Sequence, residues 1–189
     1  MRAHEFDAHS ELADALRFVV IRDLRDTLVS LYFSVKISHP LDAEGKMQRN
    51  REILTSLNTE EGLLHMMETQ LVGAAELQRS WLNRNELLYR YEDLLLRDYT
   101  LLRELLVERF RLPITENSLR AALRKCSFQA EFGRKLGQED EASHGRQGAP
   151  GNWRKHFTPR VTTAFAERFG QVLIDTGYER NLSWANHSE

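Results

Sequence analysis

Four apolar residues, Phe18-Val19-Val20-Ile21, run directly into Arg22-Asp23-Leu24-Arg25-Asp26, and this junction constrains the fold more than any other stretch. The run over residues 16–21 is rich in β-branched side chains, and it is too short and too uniformly apolar for an amphipathic helix. It reads as a strand buried on both faces, as strands of a parallel sheet are. Leu24, Leu28, Leu31, Tyr32 and Val35 follow at helical spacing, with Asp23 or Asp26 placed to cap the start. Strand, tight turn and helix in this order predict an α/β fold with a parallel sheet flanked by helices. Ligands of such sheets bind at this kind of junction, because the helix N-terminus offers N–H groups.

The remaining pattern is mostly helical. His39-Pro40 ends the first helix, and apolar spacing predicts a long helix over about residues 59–83. Residues 87–91 (LLYRY) form a second strand candidate. A further amphipathic helix is expected to start at Asp98 and to stop at Pro113, with a short one over residues 117–125. Residues 133–151 hold five glycines, Pro150 and many charges, which predicts a long mobile loop with little reach to a core. Thr158-Pro159 marks the start of a last helix, and Gly177 its end.

Charge and cysteine content exclude several classes. The formal net charge is −2, so no bulk attraction to nucleic acid or an acidic membrane is expected, and any anion site must be built locally. The lone Cys126 cannot make an internal disulfide, and no Cys/His spacing suits a metal. The apolar runs fall far short of the ~20 residues of a membrane span. Glu5, Asp7, Glu11 and Asp14 interrupt any signal-peptide apolar stretch. A soluble, cytoplasmic chain is expected, with 1–189 as a single domain.

Two distant stretches carry anion-binding chemistry. Arg22 stands at the end of the first strand, and Ser30 lies eight positions on, a little over two helical turns. A guanidinium forks onto phosphate oxygens, and a serine hydroxyl adds a neutral donor. The second stretch is Gly145-Arg146-Gln147-Gly148-Ala149-Pro150-Gly151-Asn152-Trp153. Its glycines let backbone N–H groups approach a phosphate closely.

Together these stretches resemble the nucleotide-binding parts of the sulfotransferase family, whose members use 3′-phosphoadenosine 5′-phosphosulfate (PAPS) as sulfuryl donor. RDLRDTLVS looks like the family segment that binds the 3′-phosphate, with Arg22 and Ser30 in the matching places. RQGAPGNW is similar to the family's Arg-Lys-Gly, two variable residues, then Gly-Asp-Trp. Gln147 stands where the family has Lys, which removes one charge, and Asn152 where it has Asp. Two shorter matches lie between. LYRYEDLL places Tyr91 near the adenine, and CSFQAEF places Ser127 and Phe128 there, with the Phe stacked on the base. The resemblance thus implies Arg22, Ser30, Tyr91, Ser127, Phe128, Arg146, Gln147 and Gly148 as nucleotide-binding residues. It also implies a catalytic histidine shortly before the first strand, for which His4 is the candidate and His9 the alternative, acting as general base near neutral pH.

The family opens with a strand, a Lys/Ser/Gly/Thr-rich loop around the 5′-phosphosulfate, and a helix. No such loop occurs in this sequence, so the chain reads as a P-loop-like sulfotransferase fold that starts late. The function implied is sulfuryl transfer from PAPS to a hydroxyl or amine of a small-molecule acceptor, without metal. The alternative is a remnant or binding module that holds adenosine 3′,5′-bisphosphate without chemistry. Without the loop, weak binding and negligible turnover are expected of these 189 residues alone. The acceptor and the oligomeric state stay open.

Overall fold

The computed structural model describes residues 1–82, 84–140, 143 and 145–187. In chain order the elements are α1 (Ala3–Asp7), β1 (Val19–Ile21), α2 (Leu24–Phe33), α3 (Lys46–Ser56), α4 (Thr59–Met66), α5 (Val72–Trp81), β2 (Leu88–Arg90), α6 (Tyr91–Arg103), α7 (Glu116–Lys125), α8 (Phe128–Phe132) and α9 (Pro159–Asp175). They fall into two compact units. The first comprises Met1–Asp14, Arg22–Glu86 and Gly151–Glu189, and the second Ala15–Ile21 and Leu87–Pro150.

The first unit is helical and holds the main core. In α2, Leu24, Leu28, Val29 and Tyr32 are buried, with neighbours three and four apart forming one inward stripe. Its last turn widens over Ser34–Ser38 and ends at His39, which is extended (φ −67°, ψ 134°), as residues before a proline are. Arg51 of α3 donates to the Val35 and His39 carbonyls and so satisfies this widened end. Asn58 caps α4 by a reciprocal box with Glu61. A wide turn over Met67–Leu71 carries α4 into α5, so the expected long helix runs from Thr59 to Trp81. At Gly62 a Cβ would lie 2.4 Å from the Tyr32 ring, which is why a glycine sits where α2 and α4 meet.

α9 closes this core. Thr158 accepts from Val161 N and Pro159 opens the helix. Val161, Phe165, Phe169, Val172 and Leu173 line its buried face. Gly177 (φ +72°) turns the chain, and the Gly177 and Glu179 N–H groups donate to the Ile174 and Leu173 carbonyls. α1 docks on α5 through Phe6, edge-on to Trp81 with centroids 5.8 Å apart, and through Ala3 N–H donating to Ser80 Oγ.

The second unit contains the sheet. β1 and β2 pair in parallel, with Val19, Val20 and Ile21 opposite Leu88, Tyr89 and Arg90. This is the α/β arrangement expected, reduced among the described residues to two strands. Burial on both faces does not hold. Ile21 is buried, but Val20 is 41 % and Phe18 38 % exposed. A two-stranded sheet has too few neighbours to cover both faces of either strand.

Helix α6 starts at Tyr91, directly after β2, seven residues before the expected start at Asp98. The expectation nevertheless marked a real feature. Arg97 breaks the helix (φ −139°, ψ 31°), and the Asp98 carboxylate accepts from Tyr99 N–H as a local cap. A wide turn over Glu104–Arg109 then ends this helix ahead of Pro113, and Arg111 adopts φ +53°. Among the described residues no helix is long and apolar enough to cross a membrane, and no acidic, His or Cys group could hold a metal ion.

Candidate functional site

The start of α2 is dense in buried charge. Asp23 is 6 % exposed and its carboxylate caps the helix by accepting from Arg25 N at 2.9 Å. The same carboxylate takes Arg25 Nε and Nη2, the latter at 2.7 Å. Arg25 Nη1 donates to Glu179 at 2.6 Å, and its guanidinium lies against both the Trp153 and Trp184 rings, 4.2 and 4.7 Å from their centroids. Burial would lower the Arg25 pKa, but the Asp23 and Glu179 carboxylates outweigh it and hold the group firmly charged. One N–H of the helix start, that of Arg25, is therefore taken by the carboxylate of the residue before the helix.

Asp26, one turn into α2, is 3 % exposed and accepts from the backbone N–H groups of Gly151 (2.6 Å) and Trp153 (2.9 Å). Burial pushes its pKa up, and the two backbone bonds oppose that shift. This joins the first sequence stretch to the end of the second. Trp153 and Asn152 are both buried at this junction. Arg22 is half-buried, its carbonyl accepting from Gln78 Nε2 of α5 at 2.8 Å. Ser30 is half-buried on α2, and His4 is exposed on α1. These three residues belong to the first unit.

The second unit carries Tyr91, Ser127, Phe128, Arg146, Gln147 and Gly148. Phe128 opens α8 and packs against Phe132, ring centroids 4.8 Å apart. Gly148 sits against the Phe128 ring and Leu136. It is left-handed (φ +65°), and a Cβ there would lie 2.6 Å from the Phe128 ring. Gly145 likewise approaches Phe132, where a Cβ would come within 2.3 Å. The expected loop without packing is corrected here, since its glycines let the backbone lie flat on two rings. Of the residues the resemblance implied, Gly148 and Phe128 are thus in direct contact.

Arg146 is turned inward. Its guanidinium pairs with Glu139, and its side chain is 11 % exposed. Arg134 gathers the loop carbonyls, donating to Gln138 (2.7 Å), Gly145 (2.9 Å) and Arg146 (3.1 Å), while lying 5.6 Å from the Phe128 ring centre. Ser127 caps α8 by accepting from Ala130 N–H and donating to the Arg124 carbonyl. It also lines a cavity of about 270 Å³ with Asp98, Tyr99, Arg120, Leu123 and Arg124. The Tyr91 side chain does not line this cavity, and the residue is half-buried at the first position of α6.

Sequence reasoning missed Asp26, Arg25, Glu139 and Arg134. Asp26 and Arg25 stood inside the motif, Asp26 read only as a candidate helix cap and Arg25 as an ordinary helix charge. Their partners lie more than a hundred residues away, and no spacing rule predicts such pairs. Arg134 and Glu139 lie in a stretch whose glycine and charge content suggested solvent.

A strand-turn-helix junction bound to a Gly-Asn-Trp turn defines a class, and comparison with known proteins agrees with it. The model of the sulfotransferase domain matches residues 14–177. The chain belongs to the sulfotransferase domain family. No curated protein and no solved structure matches it.

Proposed function

We propose that this sulfotransferase-type chain takes PAPS as donor and passes its sulfuryl group to a hydroxyl or amine of a small acceptor. Adenosine 3′,5′-bisphosphate leaves as the acceptor loses its proton. The observation that carries the reading is the left-handed Gly148 seated on the Phe128 ring, inside a chain of this family. A glycine there brings backbone donors to an anion, beside a ring face that suits a purine.

In this reading Arg146 and Gly148 receive the 3′-phosphate, and Phe128, Tyr91 and Ser127 receive the base. Arg22 and Ser30 supply further phosphate donors, while Gln147 offers an amide where a cation would bind more tightly. His4, exposed on α1, is the proposed proton acceptor for the attacking hydroxyl or amine. At the α2 start the Asp23 carboxylate already takes the Arg25 N–H, so that donor is not open to the nucleotide.

Isothermal titration with adenosine 3′,5′-bisphosphate and with adenosine 5′-monophosphate tests the binding half. Specific, saturable preference for the bisphosphate is expected. Equal affinity for both nucleotides, or none, would defeat the reading. Transfer of label from PAPS to a panel of phenols, alcohols and amines tests the chemistry.

A further inference from the structure

We infer that Arg134 is the positioning residue of the Arg146-Gln147-Gly148 loop, setting its backbone amides for the 3′-phosphate. The inference rests on the nucleotide-binding reading above and adds a residue outside the motif that suggested it. Arg134 Nη1 donates to the Gln138 and Arg146 carbonyls, and Nη2 to the Gly145 carbonyl. Its side chain is 20 % exposed, its Nε lies 3.9 Å from the Asp140 carboxylate, and its guanidinium lies over the Phe128 ring.

Two backbone bonds complete the arrangement. Gly137 N–H donates to the Gln147 carbonyl and Asp140 N–H to the Arg146 carbonyl, each at 2.8 Å. The carbonyls of three consecutive residues, Gly145, Arg146 and Gln147, are therefore tied to the segment 134–140. No peptide bond of the described chain is cis. In a trans peptide the N–H points opposite to its own C=O. The N–H groups of Arg146, Gln147 and Gly148 are thereby directed away from the segment that holds those carbonyls. Successive N–H groups around a left-handed residue form an anion-binding concavity, and Gly148 supplies that residue.

The geometry requires an arginine. One planar fork reaches three carbonyls at once, which a lysine ammonium on a flexible stem does not reproduce. With its donors committed to carbonyls, Arg134 acts through the backbone it orders. Arg146, paired with Glu139, is the side chain proposed to turn to the phosphate itself.

The test uses Arg134→Lys and Arg134→Ala in the full chain. Amide exchange at Gly137 and Asp140, without nucleotide, reads the closure of the loop. Titration with adenosine 3′,5′-bisphosphate and adenosine 5′-monophosphate reads the anion site. Both variants are expected to exchange faster at both amides. Both should lose about tenfold in affinity for the bisphosphate, with the monophosphate little changed. Full protection and affinity in the Lys variant would overturn the inference, since charge alone would then suffice. Reduced affinity with unchanged exchange would overturn it too, by making Arg134 a direct ligand contact. Equal losses for both nucleotides would reduce it to general stability. If the wild-type chain binds neither nucleotide, the functional reading fails, and unchanged exchange in the variants separately removes the ordering role.

Discussion

The backbone N–H of Trp153 donates to Asp26 Oδ1 at 2.9 Å across 127 residues of chain, and Gly151 N–H donates to the other oxygen of the same carboxylate. One buried carboxylate therefore fixes the Gly-Asn-Trp turn onto the first turn of α2. Asp26→Asn should break half of this arrangement. The amide keeps an acceptor for Trp153 but turns an NH₂ toward the Gly151 N–H, leaving two donors face to face. A loss of about 1–3 kcal/mol is expected in urea unfolding.

The same variant reports the raised Asp26 pKa. Its folded value lies above the unfolded one, so between the two the native state binds the extra proton. The stability from this group is complete below the unfolded value and is lost as pH rises through the folded one. The advantage of wild type over Asp26→Asn should therefore grow as pH falls from 7 to about 4. An advantage that shrinks on acidification would show that the two backbone bonds outweigh burial.

Arg25 is the second anchor, held by Asp23 and Glu179 against Trp153 and Trp184. Arg25→Met keeps apolar bulk against the rings but strands two carboxylates. A loss of about 3–5 kcal/mol is expected, because a buried charge without its counterion costs more than the pair contributes. Denaturant unfolding followed by tryptophan fluorescence measures it.

Glu139 holds the Arg146 guanidinium where the proposed phosphate would bind. Glu139→Gln should raise affinity for adenosine 3′,5′-bisphosphate a few-fold, since the phosphate no longer displaces a carboxylate. Titration at fixed ionic strength decides it, and weaker binding would mean that Glu139 orients Arg146 instead. Arg22→Ala should weaken the same ligand by about 1.5–3 kcal/mol, through loss of a charge-assisted contact.

Gly148→Ala combines a left-handed backbone with a Cβ only 2.6 Å from the Phe128 ring. Strain and overpacking together should cost about 1–3 kcal/mol of stability in the second unit. Bisphosphate binding should fall with it, as the ring and the loop backbone separate. Unchanged melting and binding would show that the loop is not seated on the ring in solution.

The local elements were legible in the sequence because their signals are short-range. Phe18-Val19-Val20-Ile21 specified a strand, Asp23 a cap, Thr158-Pro159 a helix start, and the 3.6-residue spacing of Leu24, Leu28 and Tyr32 a buried stripe. The ordered motifs were legible too, and they sufficed to place the chain in its family. Tertiary structure alone decided how charge is used. The same Asp23 that marks the helix start also holds the Arg25 guanidinium, and Asp26 serves a turn far along the chain. It also decided that Gly145 and Gly148 pack on Phe132 and Phe128, with Arg134 drawing in the Gly145 and Arg146 carbonyls. A carbonyl or N–H is the same in every residue type, so a sequence cannot name which ones meet. Only the folded chain pairs them, because burying them without partners is too costly.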